Sequence, residues 1–170
     1  MNELFIFKHS FVVIVQRAYQ DLNDGKLPIN DEIEVISVGV SFLRFLEIAE
    51  KLNQPVRVVT DNDGNIEALN SKYKDYLGDK AKPNIKICFD DTVDTGALKI
   101  GDKPFNYNTL EPKILKANSL PVLNKIFGTE YKEVDNLHKF MKNNKTECAL
   151  KIFQEDEKIT YPKYIIDAIT

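Results

Sequence analysis

Short apolar runs alternate with segments of helical periodicity over the first 90 residues of the chain. The apolar runs predict four strands, at residues 4–7, 33–38, 56–60 and 85–89. The segments between them predict three helices, at residues 10–23, 42–52 and 66–77. Strands that alternate with helices of this length indicate a parallel sheet covered on both faces. We therefore expect an α/β fold with a Rossmann-like, four-stranded parallel sheet flanked by helices.

The pattern changes after Asp90. An irregular stretch rich in aspartate and glycine comes first, and no alternating pattern follows it. Five segments with helical periodicity come next, at residues 110–118, 121–127, 134–143, 146–154 and 161–169. The connections between them are short. We predict one compact domain, in which residues 1–90 form the α/β core and residues 91–170 form its remainder and a helical carboxyl-terminal extension.

Composition and charge exclude several classes of protein. The chain has 170 residues, of which 43% are apolar and 29% charged, enough for one substantial core. A net charge of -3 argues against a strongly basic nucleic-acid coat but leaves room for a local basic groove. The longest strictly apolar stretch, residues 11–15, is too short to span a bilayer, and no secretion signal is evident. We expect a cytoplasmic protein without membrane contact, in which Cys88 is a buried, reduced core residue.

An acidic tetrapeptide, Asp61-Asn62-Asp63-Gly64, directly follows the predicted strand at residues 56–60. Open α/β sheets hold ligands and metals at the carboxyl ends of their strands. An Asp-x-Asp pair there offers hard oxygen ligands that suit Mg²⁺. All four residues also favour turns. On the pattern alone, a metal site and a plain turn both remain open.

Several familiar sites are excluded by spacing. An EF-hand loop that starts at Asp61 would need glycine at its sixth position and glutamate at its twelfth, where this chain has Ile66 and Lys72. No P-loop motif occurs, so we predict no ATP site in this chain. The sequence has two histidines, which disfavours a histidine-based nucleophilic site.

Glu111 and Lys145 are two further candidates. Glu111 lies near the start of a predicted helix that Thr109 could cap, and a favourable interaction with the helix dipole would explain it equally well. Lys145 belongs to a locally basic segment with His138, Lys139 and Lys142. Such a cluster could contact phosphates, or it could be the solvated end of a helix.

A series of short motifs runs in consistent order along nearly the whole chain. They are Gln16-Arg17-Ala18-Tyr19, Ile36-Ser37-Val38-Gly39, Phe42-Leu43-Arg44-Phe45-Leu46, Val58-Val59-Thr60-Asp61-Asn62-Asp63-Gly64, Thr109-Leu110-Glu111, Ala117-Asn118, Asn144-Lys145-Thr146-Glu147 and Tyr161-Pro162-Lys163-Tyr164-Ile165. Together they resemble the Toprim nuclease domain of the OLD (overcoming lysogenization defect) family of ATP-dependent endonucleases. Relatives of that family include the nuclease subunit of the Gabija antiphage system.

The resemblance implies cleavage of DNA phosphodiesters with Mg²⁺ or Mn²⁺. It assigns Asp61 and Asp63 as metal ligands and Glu111 as a later acidic ligand. It assigns Lys145 to the stabilisation of negative charge that develops on the phosphate. DNA, an ATPase domain or subunit, and a second copy of the chain are the partners that it implies.

The chain departs from the family at its amino terminus. Counting back from the first motif of the series, the family's strand-end glutamate and glycine fall on Phe7 and Lys8, and the acidic residues of the next loop fall near Phe11 and Val12. Glu3 lies short of the motif in the same register. Replacing a carboxylate ligand and base by phenylalanine removes charge and the capacity to activate water. We therefore expect weak or absent nuclease activity and weak metal binding.

The family's ATPase domain is also missing from this sequence. We expect the chain to correspond to the carboxyl-terminal part of a longer, truncated nuclease. One alternative is a non-catalytic interaction module that docks to an ATPase partner or self-associates. Another is a phosphatase-like or receiver-like α/β domain that uses a strand-end aspartate.

Overall fold

Four strands form one parallel sheet in the computed structural model, which describes residues 3–7, 11–38 and 42–170. Within these residues the strands are β1 (Glu3–Phe7), β2 (Ile33–Ser37), β3 (Val56–Val59) and β4 (Ile85–Cys88). Their order is β2-β1-β3-β4, and each neighbouring pair is parallel. Every observed bound lies within one residue of the predicted one. The predicted α/β class and the parallel sheet are confirmed.

Helices connect consecutive strands and cover both faces of the sheet. They are α1 (Phe11–Leu22), α2 (Phe42–Leu52) and α3 (Ile66–Lys72). Val58 packs in one core cluster with α2 and α3, whereas Val59 packs in another with α1. Successive strand residues point to opposite faces, which explains why neighbouring valines enter different clusters. The predicted cap at Ser10 lies outside the described residues.

Helix α3 is shorter than predicted. It ends at Lys72 rather than at Leu77. The amide of Tyr76 bonds to the carbonyl of Tyr73, three residues back, so the chain tightens from α-helical geometry into turns. These turns bury both tyrosines, and the Tyr73 ring stacks on Phe42 at 5.2 Å.

The carboxyl-terminal half contains a short hairpin and five helices within the described residues. The hairpin strands β5 (Lys99–Ile100) and β6 (Lys103–Pro104) lie in the stretch predicted to be irregular. The helices are α4 (Leu110–Ala117), α5 (Leu120–Phe127), α6 (Val134–Asn143), α7 (Lys145–Gln154) and α8 (Lys163–Ile169). They confirm the five predicted segments and share one hydrophobic cluster with α1.

The topology places two aspartates at the same edge of the sheet. Val59 pairs with Cys88 in the register of β3 and β4, so Asp61 and Asp90 follow neighbouring strands at the same level. The strand order reverses between β1 and β3, and ligands of open α/β sheets bind at the carboxyl ends of the strands beside such a reversal. Asp61 therefore lies where this fold class holds its ligands.

Two further sequence expectations can be compared with the structure. Cys88 is a buried free thiol, as predicted, and burial raises its pKa to about 11. Over the described ranges, no helix is long and apolar enough to cross a membrane. The proposed division at residue 90 stays a prediction.

Candidate functional site

The acidic tetrapeptide after β3 forms a tight turn. The Asn65 amide donates to the Asn62 carbonyl at 2.9 Å. The two central residues, Asp63 and Gly64, have φ values of 50° and 81°, the signs of a type I′ turn. Asp63 is exposed and Asp61 is half-buried. The turn that the sequence allowed is therefore present. A metal-binding role for Asp61 or Asp63 stays a prediction.

Asn62 holds this turn to the segment that follows β4. Its side-chain amide donates to the carbonyls of Asp90 at 2.7 Å and Thr92 at 2.8 Å. Its side-chain oxygen accepts from the Gly64 amide at 2.8 Å. The side chain is buried, so these three bonds fix the turn relative to β4 in a protected environment.

A buried lysine neutralises the two acidic side chains after β4. Lys113, on α4, places its Nζ 2.7 Å from Oδ2 of Asp90 and 2.7 Å from Oδ2 of Asp94. Burial opposes the charged form of Lys113, but the bonds to both aspartates prevail and raise its pKa. Burial raises the aspartates' pKa values, and the bonds to Lys113 outweigh it and lower them. We call Asp90, Asp94 and Lys113 the filled cluster.

Glu111 and Lys145, predicted separately, lie in direct contact. Lys145 Nζ donates to Glu111 Oε2 at 2.9 Å, and the Thr109 hydroxyl donates to the same oxygen at 3.3 Å. Thr109 occupies the N-cap position of α4 without a capping hydrogen bond from its side chain. Glu111 is 5% exposed and lies in the first turn of α4, so an interaction with the helix dipole stays open beside its ion pair with Lys145. Its Oε1 is buried and has no hydrogen-bond partner among the described residues.

Tyr164, on α8, is a further buried polar residue. Its hydroxyl is buried and finds no hydrogen-bond partner within the described part of the chain. Burial, and then the negative charges of Asp61, Asp90 and Glu111, raise the pKa of Tyr164 well above its usual value. Two of the predicted acids, Asp61 and Glu111, thus act on one tyrosine. We call Asp61, Glu111 and Tyr164 the open cluster.

An aromatic ring lies where the family resemblance implied an acid. Phe11 is 1% exposed and meets the Tyr164 ring edge-on, with centroids 6.3 Å apart. Val12 is half-buried, and the described first turn of α1 contains no acidic residue. Phe7 lies in β1, and Lys8 lies outside the described residues. The surroundings of Tyr164 are therefore more apolar on the α1 side than the family pattern implies.

The predicted basic segment is smaller than expected. His138 is 7% exposed, and its ring lies 5.0 Å from Phe105 and 5.4 Å from Tyr107. Burial lowers the pKa of His138, so it carries little charge at neutral pH. Lys139, Lys142 and Lys145 are the exposed cations that remain of the predicted segment. The interpretation of His138 as part of a basic surface is wrong, because its helical position faces the core.

Two motif residues have structural roles. The buried guanidinium of Arg17 donates to the carbonyl of Phe153 at 2.8 Å and ties α1 to the end of α7. Asn118 donates to the carbonyl of Thr160 at 2.8 Å and accepts from its amide at 2.8 Å. These contacts hold the helical half together and contribute no chemistry.

A small cleft opens on the α3 side of the turn. Its volume is about 150 Å³, and its lining includes Thr60, Asp61, Asp63 and Lys72. A ligand of drug size requires roughly 300 Å³ or more. The cleft therefore suits an ion with its waters rather than an organic cofactor.

The site offers few oxygen donors of the kind that Mg²⁺ or Mn²⁺ prefers. Asp61 and Glu111 supply carboxylates, and Glu111 Oε1 is a buried acceptor without a partner in the described structure. Residues 3–7, 11–38 and 42–170 contain no group of three or more His, Cys, Asp or Glu side chains placed to hold a metal. Mg²⁺ usually keeps several waters and takes one or two protein carboxylates, which is the type of ligand that Asp61 and Glu111 supply.

Sequence reasoning missed several residues of this region. Asn62, Asp90 and Lys113 fix the turn and the neighbouring strand end, and the charges of the predicted acids contribute to raising the pKa of Tyr164. Asp90 could have been found, because it follows β4 as Asp61 follows β3. Tyr164 belongs to the motif series, but nothing in its spacing connects it with Asp61.

Comparison with known proteins extends the picture of the fold. No family model matches this chain, and no curated protein matches its sequence. A solved structure with a similar fold is the C-terminal region of the OLD protein from Xanthomonas campestris pv. campestris. That structure superposes with a TM-score of 0.59 over 99% of this chain and 90% of its own, at 15% sequence identity. The chain thus has the fold of an OLD C-terminal region, as the motif series predicted.

Proposed function

We propose that this chain is a Toprim-like, Rossmann-like domain related to OLD-family endonucleases. It binds one divalent cation, Mg²⁺ or Mn²⁺, at the carboxyl end of β3, and its ability to cleave DNA is weak or lost. The observation that carries the proposal is the buried, unsatisfied Oε1 of Glu111, on a carboxylate that pairs with Lys145 through its other oxygen. Such an atom indicates a ligand, because buried polar atoms are rarely left without a partner.

Asp61 and Glu111 are the residues that would hold the cation, with Asp63 contributing from the turn. Two hard carboxylates at a strand end, with water completing the coordination, are what Mg²⁺ accepts. When bound, such an ion polarises a phosphate oxygen and lowers the pKa of a bound water. The chain's own groups supply the remaining chemistry.

Lys145 is the residue that would contact the phosphate. Its ammonium is held at 2.9 Å by Glu111, which is 7% exposed in its side chain, while the Lys145 side chain is 45% exposed. A cation fixed at one end and open to solvent at the other can meet a phosphate oxygen and stabilise negative charge that develops there. Lys139 and Lys142 extend this charge along the exposed surface of α6 and could steer DNA towards it.

The residues on the α1 side of the site are the reason why we expect weak nuclease activity. Phe11, buried against Tyr164, can neither ligate a cation nor accept a proton from water. A nuclease with one carboxylate fewer binds metal less tightly and lacks a base for the attacking water. A cytoplasmic protein that acts with an ATPase domain or subunit, or as a homo-oligomer in antiphage defence, would accord with the resemblance.

Calorimetric titration with Mn²⁺ tests the cation site. We expect the wild-type protein to bind one ion weakly, and Asp61→Asn and Glu111→Gln to abolish the heat of binding. Asp79→Asn, an exposed carboxylate in a turn remote in sequence from these acids, is the matched control and should bind as the wild type does. No binding by the wild type, or equal binding by all four proteins, would refute the cation site.

Plasmid cleavage tests the proposed loss of activity. With Mg²⁺ or Mn²⁺, we expect little nicking or linearisation by the purified protein. Efficient cleavage that Asp61→Ala abolishes would contradict the proposal and show that another residue replaces the missing glutamate. Cleavage that survives Asp61→Ala would indicate a contaminating nuclease.

A second candidate is a non-catalytic interaction module that docks to an ATPase partner or to itself. The observation that favours it is an apolar stripe on the outer face of α2, where Phe45, Ile48 and Leu52 are 37%, 55% and 70% exposed. Their spacing puts them on one side of the helix. A pure docking module would show no heat of Mn²⁺ binding that Asp61→Asn removes, so the same titration separates the two candidates.

A further inference from the structure

The hairpin of β5 and β6 connects the surroundings of the acidic turn with helix α6. Phe105 directly follows β6, and the chain then runs through Asn108 to Glu111 in the first turn of α4. A side-chain carbon at Gly64, in the acidic turn, would lie 3.3 Å from the Asn108 amide, so this segment lies against the turn. The Phe105 ring lies 5.0 Å from the ring of His138 on α6. The base of the hairpin is therefore anchored to α6, next to the candidate site.

The two faces of this hairpin carry different side chains. The Phe105 amide donates to the Leu98 carbonyl at 2.9 Å, and Ile100 pairs with Lys103 in the register of the strands. Cross-strand partners and alternate residues share one face of a hairpin. The inner face, which meets α6, therefore carries Leu98, Ile100, Lys103 and Phe105. Lys99 lies on the outer face.

The inner face is buried at the base of the hairpin and exposed at its tip. Leu98 and Phe105 are each 7% exposed, whereas Lys103 is exposed. Lys103 lies about 7 Å from Phe105 along the strand, towards the tip. Lys142, in the last turn of α6, is also exposed, and its Nζ lies 5.8 Å from the centroid of the Phe105 ring. Two exposed lysines thus flank one ring, and we call Lys103, Phe105 and Lys142 the basic corner.

The positive charge of the basic corner continues to the candidate site. Lys145 follows Lys142 at the start of α7, and its ammonium pairs with Glu111 at 2.9 Å. Lys103 and Lys142 form no ion pair with a described residue. Asp102, in the turn of the hairpin, is the nearest acid to Lys103 in the sequence. The chain has a net charge of -3, but binding responds to the local potential, which three lysines make positive along this row.

We propose that the basic corner binds the phosphodiester backbone of duplex DNA and places it beside Lys145. The inference rests on the proposed function for its choice of DNA as the ligand, but it requires no bound cation. Separate exposed ammonium groups along a row suit a ligand that carries one negative charge per nucleotide. Contacts of this kind position a duplex on the protein without selecting its sequence.

The burial of Phe105 favours a duplex over a single strand. Proteins that bind single strands stack the bases on aromatic side chains. The Phe105 ring is covered by the hairpin and α6, so it offers no surface on which an unpaired base could stack. The lysines on either side of the ring remain available to phosphates. The basic corner therefore offers charge without a stacking surface, which matches a duplex whose bases stay paired.

Fluorescence anisotropy with a labelled DNA duplex in EDTA tests this proposal, because it reports binding without a cation and without cleavage. We expect the wild type to bind the duplex with an affinity that falls as the salt concentration rises. Lys103→Ala and Lys142→Ala should each weaken binding roughly 3- to 10-fold at low salt. Each should also reduce the slope of log affinity against log salt concentration by about 1.

Lys99→Ala is the matched control. It removes the same charge from the same hairpin, but from the outer face, so this variant should bind the duplex as the wild type does. Lys51→Ala, at an exposed position of α2, is a second control, because α2 packs in the other core cluster. Thermal melts of the variants should match the wild type, since all these lysines are exposed.

Asp102→Asn should act in the opposite direction. It removes the acid next to Lys103 and keeps a residue that favours turns, so the hairpin is retained. This variant should bind the duplex more tightly than the wild type, by roughly 2-fold at low salt. Unchanged or weaker binding by Asp102→Asn would contradict a contact between the tip of the hairpin and phosphates.

The remaining outcomes separate the basic corner from the cation site. Equal losses for Lys99→Ala and Lys103→Ala would show a response to net charge alone and overturn the basic corner. A wild type that does not bind the duplex, or that binds a labelled single strand more tightly, would overturn it as well. In each case the Mn²⁺ titration still decides the cation site independently. Duplex binding that depends on Lys103 would support the basic corner even if the wild type bound no Mn²⁺.

Discussion

The filled and open clusters lie at the ends of neighbouring strands, yet they use their charges in opposite ways. In the filled cluster, one ammonium lies 2.7 Å from each of two aspartates, and its side chain is 3% exposed. In the open cluster, a carboxylate oxygen and a phenol hydroxyl remain buried without partners in the described structure. The same edge of one sheet therefore contains a closed ionic network and an incomplete one.

The difference separates acids that hold the fold from acids that can hold a ligand. Sequence alone makes Asp90 as good a metal ligand as Asp61, because each follows a buried parallel strand. The structure assigns Asp90 to Lys113, which lies on the same helix as Glu111. A buried charge with a partner stabilises the native state, whereas a buried polar group without a partner destabilises it. A ligand that supplies the missing partner removes that destabilisation.

Removing the ammonium of the filled cluster should have the largest effect on stability. Lys113→Met leaves Asp90 and Asp94 without their cation and should lower the free energy of unfolding by about 2–3 kcal/mol, less than for a fully buried pair because the aspartates are partly exposed. Lys116→Met is the control, since that side chain is 62% exposed and pairs with Asp94 alone. Urea denaturation should show a loss below about 1 kcal/mol for the control. Equal losses would contradict the comparison.

Separating the turn from the filled cluster should have the next largest effect. Asn62→Ala removes two bonds to the carbonyls of Asp90 and Thr92 and should cost about 1–2 kcal/mol of unfolding free energy. Because the turn also carries Asp61, Mn²⁺ affinity should fall as well. Asn65→Ala removes the cap of α3 at an exposed position and should leave Mn²⁺ affinity unchanged. A fall in affinity for both variants would show that any damage to this turn suffices.

Acid should weaken the filled cluster. The pKa values of Asp90 and Asp94 are lower in the folded protein than in the unfolded chain, because the bonds to Lys113 outweigh burial. Their stabilisation is therefore complete above the unfolded pKa and is lost as pH falls through the folded one, between about pH 5 and pH 2. Denaturation across this range should give a shallower slope for Lys113→Met than for the wild type. Identical slopes would place the acid sensitivity elsewhere.

The turn beside the open cluster should tolerate the loss of a charge. Asp63→Asn should change stability by less than about 0.5 kcal/mol, since asparagine also tolerates a positive φ and the residue is exposed. Asp63→Val should cost more, roughly 1–2 kcal/mol, because a β-branched residue is strained at a φ of 50°. Thermal melts of both variants measure the difference. A costly Asn variant would show that the Asp63 charge itself holds the turn.

Periodicity predicted the elements well because burial imposes it directly. Strand bounds agree within one residue, and the five carboxyl-terminal helices lie where helical spacing places them. The end of α3 and the β5–β6 hairpin differ from the prediction. Tyr73 and Tyr76 keep helical spacing although the backbone tightens there, and a hairpin of two-residue strands is too short to show alternation.

The candidate site was predictable only where local chemistry marks it. Asp61 follows a strand, and the motif series identified Glu111 and Lys145. Their contact across 34 positions, and the burial of His138 among aromatic rings, depend on how helices pack, which spacing does not encode. Lys113 resembles any other helical lysine in the sequence until the fold encloses it.

The position of α8 has a consequence for the order of folding. Its bond from Arg57 to the Ala168 carbonyl joins residues 111 positions apart, whereas the turn from Asn62 to Asn65 closes within four residues. Contacts between distant residues form late, because closing a long loop costs chain entropy before any contact compensates it. The acidic turn can therefore exist early and inert. The last helix, which carries Tyr164, docks on β3 through Arg57 only after that long loop has closed.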